Sequence, residues 1–203
     1  VAAYLAPAGE SRAEIREKGS RFLAVVSPAA DEAAAKGILE SLARRYPDAT
    51  HHCWAWRLGR QARERSADAG EPAGTAGVPM LQVLRGARLS DVVAVVIRWF
   101  GGTKLGKGGL ARAYAGAVRE AVAGLPVVSR VPVVRLGVEV PYERVGAVKR
   151  LIRPPEVELE REEYGATARL ELVVHEERLE ALRESLAELG AGMILEAGKE
   201  SNL

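Results

Sequence analysis

The chain has 203 residues, 48% of them hydrophobic and 28% charged, with a formal net charge of +2 and one cysteine, Cys53. That length holds one large domain or two small ones with buried cores. The lack of any apolar run near the roughly 20 residues of a membrane span excludes a helical membrane protein, and a lone cysteine excludes an internal disulfide.

The expected location is cytoplasmic: a single cysteine fits a reducing compartment, and the opening VAAYLAPAGE lacks the basic start and long apolar segment of a signal peptide. Asn and Gln are scarce while Arg, Glu and Ala abound, a thermophile-like composition that codon bias also produces. The small net charge hides a split. Residues 1–129 carry 18 Lys and Arg against 12 Asp and Glu, whereas residues 130–203 carry 11 against 15.

In chain order, ESRAEIREKGSRFLAVVSP reads as two extended runs joined by a turn at Lys18–Gly19–Ser20, with Phe22, Ala24 and Val26 on one face. Asp31 is placed to cap a helix running to about Arg45, which Pro47 stops. THHCWAWRL alternates like a strand. ADAGEPAGTAGVP is a Gly/Pro loop, after which Thr75 is expected to cap a helix that carries Pro79 in its first turn and ends near Gly86. DVVAVVIRWF is a strand buried on both faces. A glycine-rich loop follows, and LARAYAGAVREAVAGL is a helix whose small residues suit close packing on a sheet.

PVVSRVP, residues 126–132, punctuates the chain near Ser129, and the expected division is 1–129 and 130–203. Beyond it, VVRLGVEV, YERVGAVKRLI, VELEREEY, ATARLELVV, EERLEALRESLAEL and GMILEA read as strand, helix, strand, strand, helix, strand. That is the β-α-β-β-α-β order of ferredoxin-like folds, within an α+β class overall. Val134, Leu136, Val138, Leu170, Leu172 and Val174 are expected to face the helices, and Arg135, Glu139, Arg169 and Glu171 to face outward. With no aromatic residue on these strands, that outer face does not read as an RNA-recognition platform. Protein contact, or packing on the first domain, suits it better.

The stretch RWFGGTKLGKGGLARAY, Arg98–Tyr114, contains G-x-x-x-x-G-K from Gly101 to Lys107 and most of a dinucleotide fingerprint from Gly106 to Ala111. A phosphate-binding P-loop needs Ser or Thr after the lysine to hold magnesium, and Gly108 stands there. The dinucleotide reading needs an acidic residue at the end of a following strand, whereas Glu120 falls within the helix. The nucleotide readings stay open as the weaker ones, and with them an enzyme acting on a nucleotide or another phosphorylated small molecule. Two readings carry more weight: a turn that needs glycine for tight folding, and a contact for anions or RNA backbone. The second draws on charge, because Val92–Arg119 holds five cations and no acid.

The candidate anion- or RNA-binding set is therefore Arg98, Gly101, Gly102, Lys104, Lys107 and Arg112, with Asp68, Glu71, Gly74 and Thr75 on the loop facing it. Asp68 and Glu71 read either as an acid–base or magnesium pair or as a salt-bridge and capping set. His51 and Cys53 share a strand face and offer two metal ligands where a structural zinc site wants four. No metal and no cofactor are expected. Trp54 and Trp56 read as core before they read as a stacking platform. No catalytic residue is assigned, and nothing indicates a DNA sequence reader or a membrane partner.

GEPAGTAGVPMLQVL (Gly70–Leu84), VVAVVIRWFGGTKLGKGGLARAYAGAV (Val92–Val118) and the earlier DATHHCWAW resemble the Impact family, and the whole chain resembles its bacterial YigZ-type members. The similarity to the Impact N-terminal domain spans about residues 18–125. The resemblance implies two α+β domains. The first is similar to a ribosomal-protein domain whose fold is shared with GHMP kinases, and the second is ferredoxin-like, similar to the last domain of elongation factor G. Eukaryotic relatives restrain the amino-acid-starvation pathway through an additional domain that this sequence lacks. For bacterial members the resemblance implies RNA or ribosome binding by analogy of fold, and the acidic second domain suggests a protein partner.

Two departures stand out. Lys107 occupies a position where relatives carry a small residue, so the G-K pair is not read as a phosphate lysine. Relatives read D-D-G-E-P where this chain has Asp68–Ala69–Gly70–Glu71–Pro72, which argues against a carboxylate-based reaction.

Overall fold

The computed structural model describes residues 3–59 and 61–196. Ala197, which the sequence assigns to the last strand, lies outside the described residues. The chain divides into two compact units, Tyr4–Ser129 and a second beginning at Arg130. It is a two-domain α+β architecture in which each unit has its own sheet and core.

At the ends of the first unit, β1 (Tyr4–Pro7) pairs with β7 (Val127–Arg130), a strand whose last residue falls past the division at Ser129. The main sheet combines β2 (Ser11–Glu17), β3 (Ser20–Pro28), β4 (His51–Leu58), β5 (Arg63–Ala67) and β6 (Val92–Trp99) in the order β2-β3-β6-β4-β5. Every pairing in it is antiparallel. β6 is central and buried from Val92 to Arg98, as its unbroken apolar run predicts.

Two helices, α2 (Gly77–Gly86) and α3 (Gly106–Ala123), cover the face that carries Phe22, Ala24, Cys53, Ala94 and Val96. Ala113, Ala117 and Ala121 line the buried stripe of α3 and let it lie close to the sheet. α1 (Glu32–Arg45) covers the other face, over Val25, Trp56, Val95 and Ile97. Trp54 and Trp56 thus belong to a core. Asp31 caps α1 as expected, accepting the Ala34 N–H at 2.8 Å.

Three local expectations are corrected. Thr75 does not cap α2: its hydroxyl donates to the Pro72 carbonyl at 2.6 Å, and the cap position falls to Ala76, which has no side-chain acceptor. α3 begins at Gly106 and not at Leu110, because the second half of the glycine-rich stretch forms its first turn. β1, β5 and β7 are additional strands. They are short and lie at sheet edges, so no alternating apolar signal marks them.

The second unit runs β8 (Val133–Val140), α4 (Tyr142–Lys149), β9 (Val157–Tyr164), β10 (Ala168–His175), a 3-10 turn at Glu176–Arg178, α5 (Leu179–Glu188) and β11 (Gly192–Glu196). Its antiparallel sheet has the order β11-β8-β10-β9. Register pairs Leu136 with Leu172 and Val138 with Leu170, which places one apolar face against Val148, Leu182 and Leu186. Arg169 pairs with Glu139 on the opposite face. Both helices start or stop a few residues short of the sequence-based bounds, as fraying ends do.

Candidate functional site

β6 delivers two features to one end of the main sheet: the Arg98 side chain, and the start of the glycine loop. The loop turns against the β2–β3 hairpin. A Cβ built on Gly101 would lie 1.9 Å from the Gly19 carbonyl carbon, so only glycine fits. The Gly101 N–H donates to the Ser20 hydroxyl at 3.1 Å, which also accepts from Arg98 at 3.2 Å. Ser20 is fully buried.

Arg98 is itself buried, at 5% side-chain exposure, and donates to Glu71 Oε1 at 2.5 Å; the Glu71 side chain is 3% exposed. The Tyr114 hydroxyl donates to the same oxygen at 2.8 Å. Cys53 Sγ donates to the Asp68 carbonyl at 2.9 Å and stands 3.3 Å from the Tyr114 hydroxyl. His51 Nδ1 donates to the Ala69 carbonyl at 3.0 Å, with Nε2 3.9 Å from Glu71 Oε1. An amide oxygen only accepts, so Nδ1 carries the proton. The guanidinium of Arg98 lies over two rings, 5.3 Å from the centroid of Phe22 and 5.6 Å from that of Phe100.

Burial dominates the chemistry of this network. It pushes the Cys53 thiol up to about 12, against a smaller opposing effect of the bond to Tyr114. Burial, then the neighbouring Cys53, raises Tyr114 well above the usual phenol range. Neither group ionises near neutrality. A thiol held protonated is a poor nucleophile and a poor metal ligand.

Asp68 has a different task. One oxygen accepts from the Ala76 and Gly77 N–H groups, both at 2.9 Å, and the other from Gly74 at 2.7 Å. Partial burial works against ionisation, but these three backbone bonds outweigh it and hold the carboxyl below its ordinary value. Asp68 therefore caps α2 from nine residues upstream of Gly77, supplying the acceptor that Ala76 lacks. The acid–base alternative for Asp68 and Glu71 finds both carboxylates engaged, one with backbone N–H groups and one with a buried cation.

The candidate residues thus separate into two groups. Arg98, Glu71, Asp68, Gly74 and Thr75 are joined to one another or to their own loop by the bonds above. Gly101, Gly102, Lys104, Lys107 and Arg112 are exposed. Among the described residues, no ion pair engages Lys104, Lys107 or Arg112. The first turn of α3 has no acidic residue, and its cap residue, Leu105, offers no side-chain acceptor to the free N–H groups. Gly106, at φ +73°, makes the entry into the helix. Sequence reasoning missed Ser20 and Tyr114, which lie 78 and 43 residues from their partners. No local spacing signals either.

The model of the Impact N-terminal domain matches residues 18–122, and a model described as Domain of unknown function (DUF1949) matches residues 138–192. The chain is 36% identical to the IMPACT family member YvyE of Bacillus subtilis (strain 168) over 180 residues, 88% of this chain and 83% of that one. It is 31% identical to the IMPACT family member YigZ of Escherichia coli (strain K12) over 194 residues, covering 94% and 95% of the two chains. A crystal structure described only as that of an hypothetical protein aligns over 98% of this chain and all of its own, with 29% identity and a TM-score of 0.71. With the N-terminal model covering the sheet, the two loops and α3, this chain belongs to the Impact family.

Proposed function

We propose that this protein is a cytoplasmic, YigZ-type binding protein linked to translation or its regulation, which contacts RNA or another polyanion through Lys104, Lys107 and Arg112. The observation that carries the reading is the exposed, cationic and acid-free loop at an uncapped helix start. The free N–H groups of the α3 first turn and the flanking lysines suit phosphate oxygens. Arg98 serves as a positioning residue: its bonds to Glu71 and Ser20 tie the glycine loop to the Asp68–Thr75 loop and to the β2–β3 hairpin. The link to translation, with RNA or the ribosome as partner, rests on family membership. In fold, the second unit is read as ferredoxin-like from its strand order, and the first as ribosomal-protein/GHMP-kinase-like from the resemblance. The acidic second unit is read as a surface for a protein partner.

The test is RNA affinity measured across salt concentrations for the wild type and the Lys104→Ala/Lys107→Ala variant. Phosphate contacts release counterions, so the variant should bind all sequences more weakly and lower the log–log salt slope by about one unit per lost contact. Tight magnesium-dependent ATP or GTP binding that Lys107→Ala alone abolishes, with no RNA binding at low salt, would replace this reading with that of a nucleotide enzyme.

A further inference from the structure

Phe100 is 47% exposed at the point where β6 becomes the glycine loop. One side of its ring approaches the Arg98 guanidinium at 5.6 Å. Its backbone is fixed, because the Phe100 N–H donates to the Thr50 hydroxyl at 3.0 Å. Lys104 is four positions further on, a Cα–Cα span of at most about 14 Å for a fully extended chain. An anchored aromatic side chain therefore stands in water beside the cations assigned above to phosphate.

The neighbouring aromatics differ. Trp99 has Arg21 stacked on its face at 3.6 Å, Tyr46 against it edge-on at 5.7 Å, and its indole N–H bonded to Asp48 at 2.8 Å. Its surfaces are occupied. In the second unit, Tyr142 and Tyr164 are more exposed than Phe100, at 51% and 54%, but they stack on each other with centroids 5.8 Å apart. They sit among Glu143, Glu162 and Glu163 along the chain. Of the exposed aromatic rings described here, Phe100 combines an open surface with cationic surroundings.

We infer that Phe100 is a base-stacking residue, and that the ligand of the glycine loop is single-stranded RNA, with phosphates held by Lys104, Lys107 and the first turn of α3. This rests on the polyanion reading above and narrows it. A duplex keeps its bases stacked internally and a sulfated polysaccharide has none, so neither benefits from the ring. A single strand presents open π-faces, and stacking on an aromatic side chain is tolerant of sequence.

The experiment measures binding of labelled oligo-U12 and of a 12-base-pair RNA duplex, with heparin as competitor, to the 203-residue chain and its variants at several salt concentrations. Wild type should prefer U12 to the duplex. Phe100→Ala should weaken U12 binding about tenfold, within the range known for one stacked base, while duplex and heparin affinities and the salt slope stay unchanged. Phe100→Leu, which keeps an apolar cover over Arg98 but has no ring, should show the same loss, and Phe100→Trp should restore binding. Lys104→Ala should weaken all three ligands and lower the slope. Tyr164→Ala should change nothing. Equal binding of U12, duplex and heparin by wild type, or an equal loss of all three in Phe100→Ala, would overturn the stacking role and leave the polyanion reading standing. No binding of any of the three at low salt would overturn both.

Discussion

Arg98 and Glu71 form their ion pair at 5% and 3% side-chain exposure, whereas Arg135 and Glu160 in the second unit form theirs at 25% and 39%. The exposed pair has the better local geometry, with two near-parallel bonds of 2.7 and 2.8 Å. Yet water solvates both of its ends, so the folded and unfolded states differ little in what those charges feel. The buried pair has surrendered that hydration, and its cost is offset by the partner charge together with Ser20 and Tyr114. Geometry alone therefore misleads about which pair matters. The buried one couples three chain segments, while the exposed one joins two strands already held by their sheet.

The largest expected effect breaks the buried pair on one side. Glu71→Ala leaves Arg98 without a counter-charge in the core and should destabilise the first unit by about 3–5 kcal/mol. Guanidinium unfolding read by tryptophan fluorescence measures it, because all three tryptophans, Trp54, Trp56 and Trp99, lie in that unit. Replacing both partners, Arg98→Met with Glu71→Leu, should recover much of the loss, as removing both charges removes the unpaid desolvation. If the double variant is no better than the single, the comparison is wrong about its cause.

Next in size is Asp68. Asp68→Ala strips the α2 start of its acceptor and should cost about 1–2 kcal/mol, the range for a lost helix cap. Asp68 also carries a pH signature. A carboxyl held low in the folded state stabilises the fold above its unfolded value, near pH 4, and loses that contribution as pH falls toward its folded value. Wild type should therefore lose stability below pH 4 more steeply than Asp68→Asn does. Parallel acid limbs for the two proteins would show that the three backbone bonds do not depress the group.

Cys53 acts at the opposite end of the scale. Its folded-state thiol is pushed from 9.0 to about 12, so the unfolded chain ionises first as pH rises. Stability is fully present below pH 9 and should then fall by about 1.4 kcal/mol per pH unit for this one group. Cys53→Ala should flatten the slope between pH 9 and 10 in the same unfolding assay. An unchanged slope would mean that the thiol is hydrated in the folded state.

The smallest effect belongs to the exposed pair. Glu160→Ala should leave the thermal midpoint of the second unit unchanged within error, even though Arg135 holds the Glu160 carboxyl below its ordinary value. A large loss there would erase the distinction between the two pairs.

Much of the architecture is readable from local pattern. The unbroken Val92–Ile97 run marks the central strand, the Leu179, Leu182 and Leu186 spacing marks α5, and Asp31 announces α1. Such features are legible because strand and helix periods are set by the backbone, and a residue's neighbours at i+2 or i+4 are known before folding. The short edge strands β5 and β7 escape notice since they bury too little to leave a periodic trace.

The site divides along the same line. The chain order alone places Lys104, Lys107 and Arg112 on one acid-free stretch, and that charge needs no partner to be recognised. It also lists Arg98 with them, Thr75 as a cap, and Asp68 with Glu71 either as an acid–base or magnesium pair or as a salt-bridge and capping set. Tertiary structure supplies the partners that chain order leaves open. Arg98 turns inward to Glu71, Asp68 reaches forward to the α2 start in place of Thr75, and Tyr114 arrives from α3 to complete the network. Hydrogen-bond partners 27 to 78 residues apart are chosen by which strands and helices pack together. Burial, which decides whether a charge is a ligand or a strut, is a property of the packed core and not of the residue.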